Sequence, residues 1–142
     1  MKSQNKLWFF IVSLFLFFSG IPEHGTNICK QMLPSGFVSD GRCYQVKFSS
    51  NEPAKAYLSF FNGYTYHIAF CSTSVKKYKI ELYDIEKKLL FSGNCENYSL
   101  SWDLAFQASL SCFAVISPEE TIKKEETLAI SIGFKELKTA KK

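Results

Sequence analysis

Few side chains in this 142-residue sequence are of a type and spacing that could do chemistry. His67 comes first, because the other histidine, His24, falls in or beside an N-terminal apolar segment. A histidine can activate a cysteine or serine if a third group orients its ring. His67 and Cys71 are four apart, however, and on one strand that places them on the same face but about 13 Å from each other. The pair is too distant for a dyad, and His67 reads more simply as a residue on the polar face of a strand. Asp84, Glu86, Glu96 and Asp103 are the acidic residues near turns. A glycosidase needs two carboxylates facing across a cleft, and calcium needs a dense loop of oxygen ligands; this spacing supplies neither. Asp84 has a plainer use, bonding the backbone of the turn that follows it. With two histidines and no CxxC pair, zinc is not expected either. The sequence therefore predicts no catalytic residue, no metal and no cofactor.

Aromatic side chains remain as ligand candidates. Tyr64, Tyr83 and Tyr98 fall in turns or opposite the core-facing positions, where an aromatic ring can stack on a sugar. Trp102 shares a face with Leu100, Leu104 and Phe106 and is assigned to the core. Of the five cysteines, Cys29, Cys43, Cys71 and Cys95 are disulfide candidates. Cys29–Cys43 would close a short loop, and Cys71–Cys95 would tie the ends of two neighbouring strand regions. Cys112, inside the apolar run Leu110–Ile116, reads as a buried free thiol.

The elements that would position these groups begin after Leu7–Phe18, 12 nearly all apolar residues preceded by Lys2 and Lys6 and followed by Ser19, Gly20, Pro22 and Gly25. That order is a secretory signal segment, and it is shorter than the roughly 20 residues of a spanning helix. Export, to the periplasm, cell surface or beyond, would allow disulfides. The division expected is a signal peptide over 1–25, a lead-in over 26–42, one β-domain over 43–135 and a basic tail over 136–142. The net charge of +4 falls to +3 without Lys2, Lys6 and Glu23, and the chain holds a single arginine, Arg42. Nucleic-acid binders concentrate Lys and Arg on a folded face, so that class is excluded.

From Cys43 onward the apolar residues recur every second position, as in Tyr44-Val46-Phe48, Ala56-Leu58-Phe60, Tyr66-Ile68-Phe70 and Tyr78-Ile80-Leu82. Leu100-Trp102-Leu104, Leu110-Cys112-Ala114-Ile116 and Leu128-Ile130-Ile132-Phe134 continue the series. Period two marks half-buried strands. About eight of them, with turn signals between and no helix, predict an all-β, antiparallel β-sandwich of jelly-roll type.

Five segments carry a resemblance. They are Tyr66-His67-Ile68-Ala69-Phe70-Cys71-Ser72, Leu82-Tyr83-Asp84, Leu89-Leu90-Phe91-Ser92, Trp102-Asp103-Leu104-Ala105-Phe106 and Ile132-Gly133-Phe134-Lys135. Together they resemble small exported proteins of uncharacterised function from Bacteroidetes. The hairpin portion is similar to the bacterial pre-peptidase C-terminal domain, a small jelly roll. The resemblance implies a non-catalytic module and carries over no functional residue. Such domains usually sit beside a catalytic domain, and none is present in this sequence. The function expected is an exported binding or interaction module, a monomer whose partner is a protein or glycan at the cell envelope. A carbohydrate-binding domain using the surface tyrosines is the alternative, and a small hydrolase the third reading.

Overall fold

The computed structural model describes residues 29–138. The segment read as a signal peptide lies outside these residues, as does the end of the basic tail. Eight strands follow one another: β1 (Val38–Phe48), β2 (Ala54–Phe60), β3 (Tyr64–Ser72), β4 (Tyr78–Asp84), β5 (Leu89–Cys95), β6 (Ser99–Ala105), β7 (Leu110–Pro118) and β8 (Glu126–Glu136). They form two four-stranded sheets, ordered β1-β8-β3-β6 and β2-β7-β4-β5. Every pairing is antiparallel. The pairs β1/β8, β2/β7, β3/β6 and β4/β5 are those of one long hairpin with its tip at β4–β5. Rolling that hairpin adds β8/β3 and β7/β4, which completes the jelly roll.

The alternation found in the sequence selects the inner faces. Phe48, Phe60, Ile68, Phe70, Tyr78, Ile80, Ile116 and Ile130 are buried in one core between the sheets. Tyr78 is the largest of them, and its hydroxyl donates to the carbonyls of Phe70 (3.0 Å) and Tyr98 (2.9 Å). A buried phenol needs such partners, and here they tie the second sheet to the first. Burial also pushes the Tyr78 phenol well above its ordinary range.

The outer face of the first sheet departs from the pattern. His67, Ala69 and Cys71 on β3, and Ala129 and Ser131 on β8, occupy positions that alternation assigns to water, yet all are buried. Residues 29–37 lie over them as a strap. Cys29 packs with Ala69, Cys71, Ala129 and Met32, and the Phe37 ring stands 5.5 Å from His67. Lys135 reaches back over the Phe37 ring at 4.2 Å. The strap is fastened by a disulfide between Cys29 and Cys71.

This pairing replaces both bonds suggested by the sequence and leaves Cys43, Cys95 and Cys112 as thiols. Cys71 points to the outer side of the first sheet, whereas Cys95 belongs to the core between the sheets. No bond can pass through the sheet. Cys43 lies on β1, two strands away from β3, where Cys29 takes Cys71 as its partner instead. β1 also opens at Val38, inside the segment read as lead-in, because a register shift between Ser39 and Cys43 interrupts its alternation.

Candidate functional site

Among the described residues, three places bear on the side chains singled out in the sequence. The first is under the strap. His67 and Asp103 face each other across β3 and β6, and His67 Nδ1 lies 2.6 Å from Asp103 Oδ1. A carboxylate that holds a histidine ring is half of a catalytic triad. The other half is lacking, since His67 Nε2 is buried with no hydrogen-bond partner among the described residues. The contact therefore pins one end of β3 to β6. Among the described residues there is also no group of three or more His, Cys, Asp or Glu side chains placed to hold a metal ion.

The second place is the outer face of the second sheet. Register puts Tyr57 of β2 opposite Phe113 of β7, Phe113 opposite Tyr83 of β4, and Tyr83 opposite Leu89 of β5. The four make one row straight across the sheet. Tyr57 is 77% exposed and Leu89 47%, and Ile85, in the turn beyond Tyr83, is 75% exposed. The Tyr83 and Phe113 rings stack with centroids 5.5 Å apart at 20°, and Tyr57 and Phe113 are 6.2 Å apart at 49°. Neighbouring strands are under 5 Å apart, so adjacent rings stand upright and lean on one another. The flats of Tyr83 and Phe113 are turned toward each other, whereas Tyr57 is tilted from Phe113 and largely exposed. The turn that ends β4 is held as expected: Asp84 Oδ1 accepts the N–H groups of Glu86 (2.9 Å) and Lys88 (2.8 Å).

The third place is the edge where β1 and β2 meet. The opposite edge is sealed: Trp102 of β6 lies over Gly93 of β5 and against Phe91, with centroids 4.4 Å apart. A Cβ at Gly93 would collide with the Trp102 ring, which is why the position is glycine. At the β1–β2 edge a cleft of about 310 Å³ remains, lined by β1, β3, β8 and the end of β2. Tyr64 stands in its wall, edge-on to Phe134 at 5.6 Å.

The three tyrosines singled out in the sequence thus lie in three different places. Tyr64 lines the cleft, and Tyr83 belongs to the aromatic row. Tyr98 sits in the β5–β6 turn with φ of 66°, where its carbonyl accepts the Ser72 N–H at 2.8 Å and the Tyr78 hydroxyl. Its main chain joins the two sheets, and it shares no surface with the other two. Tyr57 and Phe113 are the residues that sequence reasoning missed. Both alternate with core positions, so their faces were readable; their alignment with Tyr83 depends on strand order, which no local pattern reveals.

Cys112, opposite Leu58 in the core, has its thiol pushed up to about 11 by burial. It is poorly suited to act as a nucleophile, which must ionise. No helix among the described residues is long and apolar enough to cross a membrane. No protein-family model matches this sequence, and none of the curated proteins does.

Proposed function

We propose that the protein is an exported, non-catalytic binding module that meets a protein partner through the outer face of its second sheet. The observation that carries this reading is the row Tyr57–Phe113–Tyr83–Leu89. The protein's own strap covers the corresponding face of the first sheet, whereas among the described residues no segment covers this one. Aromatic residues in a contiguous exposed group are typical anchors of protein interfaces. Export is supported by the charged-then-apolar N-terminal segment together with a disulfide.

A glycan platform on the same face is less well supported. Sugars stack on the flat of a ring, and the flats of Tyr83 and Phe113 are turned toward each other. The test is a comparison of the wild type with the double variant Tyr57→Ser/Tyr83→Ser, first as bait for envelope proteins and then on a glycan array. The reading expects a protein retained by the wild type and lost by the variant, with unfolding midpoints unchanged. Sugar binding lost in the variant, without a protein partner, would replace it with the carbohydrate-binding alternative.

A further inference from the structure

The cleft at the β1–β2 edge lies apart from the aromatic row, and its chemistry is independent of what that row binds. Its volume, about 310 Å³, is at the lower end of the range for small-molecule sites, and aromatic walls with a few polar groups are their usual lining. Tyr64 and Phe134 meet edge to face. Tyr66 is held by its hydroxyl, which accepts the Phe61 N–H at 2.9 Å. The apolar part of the cleft is thus braced before any ligand arrives.

The polar part comes from the irregular stretch of β1. Asp40 and Arg42 both line the cleft, but they are not equivalent. Asp40 Oδ1 accepts the backbone N–H of Arg42 at 2.8 Å, so this carboxylate is engaged in its own turn. Among the described residues the guanidinium of Arg42 has one hydrogen-bond partner, the Tyr44 hydroxyl at 3.4 Å, while the Asp40 carboxylate acts on it through charge alone. Among the described residues no carboxylate lies within ion-pair distance of it. The only arginine of the chain therefore stands at an aromatic cleft with most of its five donors unspent.

We infer that this cleft binds an acidic sugar, with a pyranose ring against Tyr64 and its carboxylate on Arg42. A guanidinium fork takes a carboxylate with two parallel hydrogen bonds. The ring bearing that carboxylate would lie among aromatic side chains, and the hydroxyls of Tyr44, Ser59 and Tyr64 give a sugar the partners that a flat aromatic acid would leave unused.

Titration of the protein, followed by calorimetry or NMR, with trigalacturonate, its methyl ester and benzoate tests the assignment. Trigalacturonate should bind saturably, and the ester, which keeps the rings but not the charge, about tenfold more weakly or worse. Arg42→Gln, at an exposed position, should erase the difference between acid and ester. Tyr64→Ala should weaken both, and Arg42→Lys should restore part of the preference for the acid. Equal binding of acid and ester would overturn the role of Arg42. No saturation with any probe would overturn the site. Benzoate binding as tightly as the trisaccharide would overturn the sugar and leave an aromatic acid.

Discussion

Leu33 fills the space that any side chain on Gly133 would occupy. A Cβ built at Gly133 collides with Leu33 Cδ1, crowds Leu33 Cγ at 3.3 Å and comes into contact with Phe37 Cβ at 3.4 Å. Gly133 lies opposite His67 in the neighbouring strand, so the strap crosses β8 at that strand's one position without a side chain. Gly133→Ala should push Leu33 aside and loosen the strap, at a cost of about 1 kcal/mol, the low end of the overpacking range because the atom met is the tip of a half-buried, flexible side chain. Urea unfolding measures the loss. Limited proteolysis should cut the variant near Pro34–Phe37 before the wild type; equal protection in both would mean that the strap is not what the glycine admits.

The disulfide gives a second test of the strap. Cys29 and Cys71 are 42 residues apart, and closing a loop of that length stabilises a fold by about 4 kcal/mol in the chain-entropy account. Cys29→Ser and Cys71→Ser should each lose most of that amount, and the double variant little more, since either change removes the whole bond. Reduction should lower the unfolding midpoint of the wild type by a similar amount and leave the variants unmoved. A wild type indifferent to reductant would contradict the bond.

The eight strands and most of their inner faces were legible because an antiparallel sandwich needs period two, and outside β5 the chain keeps to it from Tyr44 to Phe134. The strap was not. Residues 29–37 contain Pro34 and Gly36 and follow no period, so nothing local indicates that they cover a sheet. His67 shows the consequence, because its alternation is right and its exposure is wrong: the polar face is roofed. The cleft was hidden for a related reason. Asp40 and Arg42 reach it from the irregular part of β1, where the pattern breaks and a strand was not expected. Tyr83 was assigned to the correct face, but its neighbours Phe113 and Tyr57 come from strands 30 and 26 residues away.

The remaining thiols should separate by position. Cys43 is half-buried on an edge strand, whereas Cys95 and Cys112 are buried. Treating the folded protein with a maleimide should label Cys43 alone, and labelling in denaturant without reductant should reach all three. Mass spectrometry of the two samples reads the difference. Early labelling of Cys112 would mean that the β2–β7 half of the core opens readily, contrary to its packing.

Stability should also fall in alkali, and the direction follows from two buried acids. The Cys112 thiol ionises near 9.0 in an open chain and only near about 11 in the fold. A raised value means that folding favours the protonated form, so its contribution is whole below about pH 9. It declines as pH climbs toward 11, where the unfolded chain gives up its proton first. Tyr78 acts in the same direction from its ordinary value of 10.0 upward. Unfolding midpoints should therefore hold between about pH 7 and 8.5 and drop above about 9.5. Cys112→Ser and Tyr78→Phe each remove one of these acids and should each make the decline shallower, even though both lower the midpoint at neutral pH by disturbing the core. An unchanged alkaline slope in both variants would place the titrating groups elsewhere.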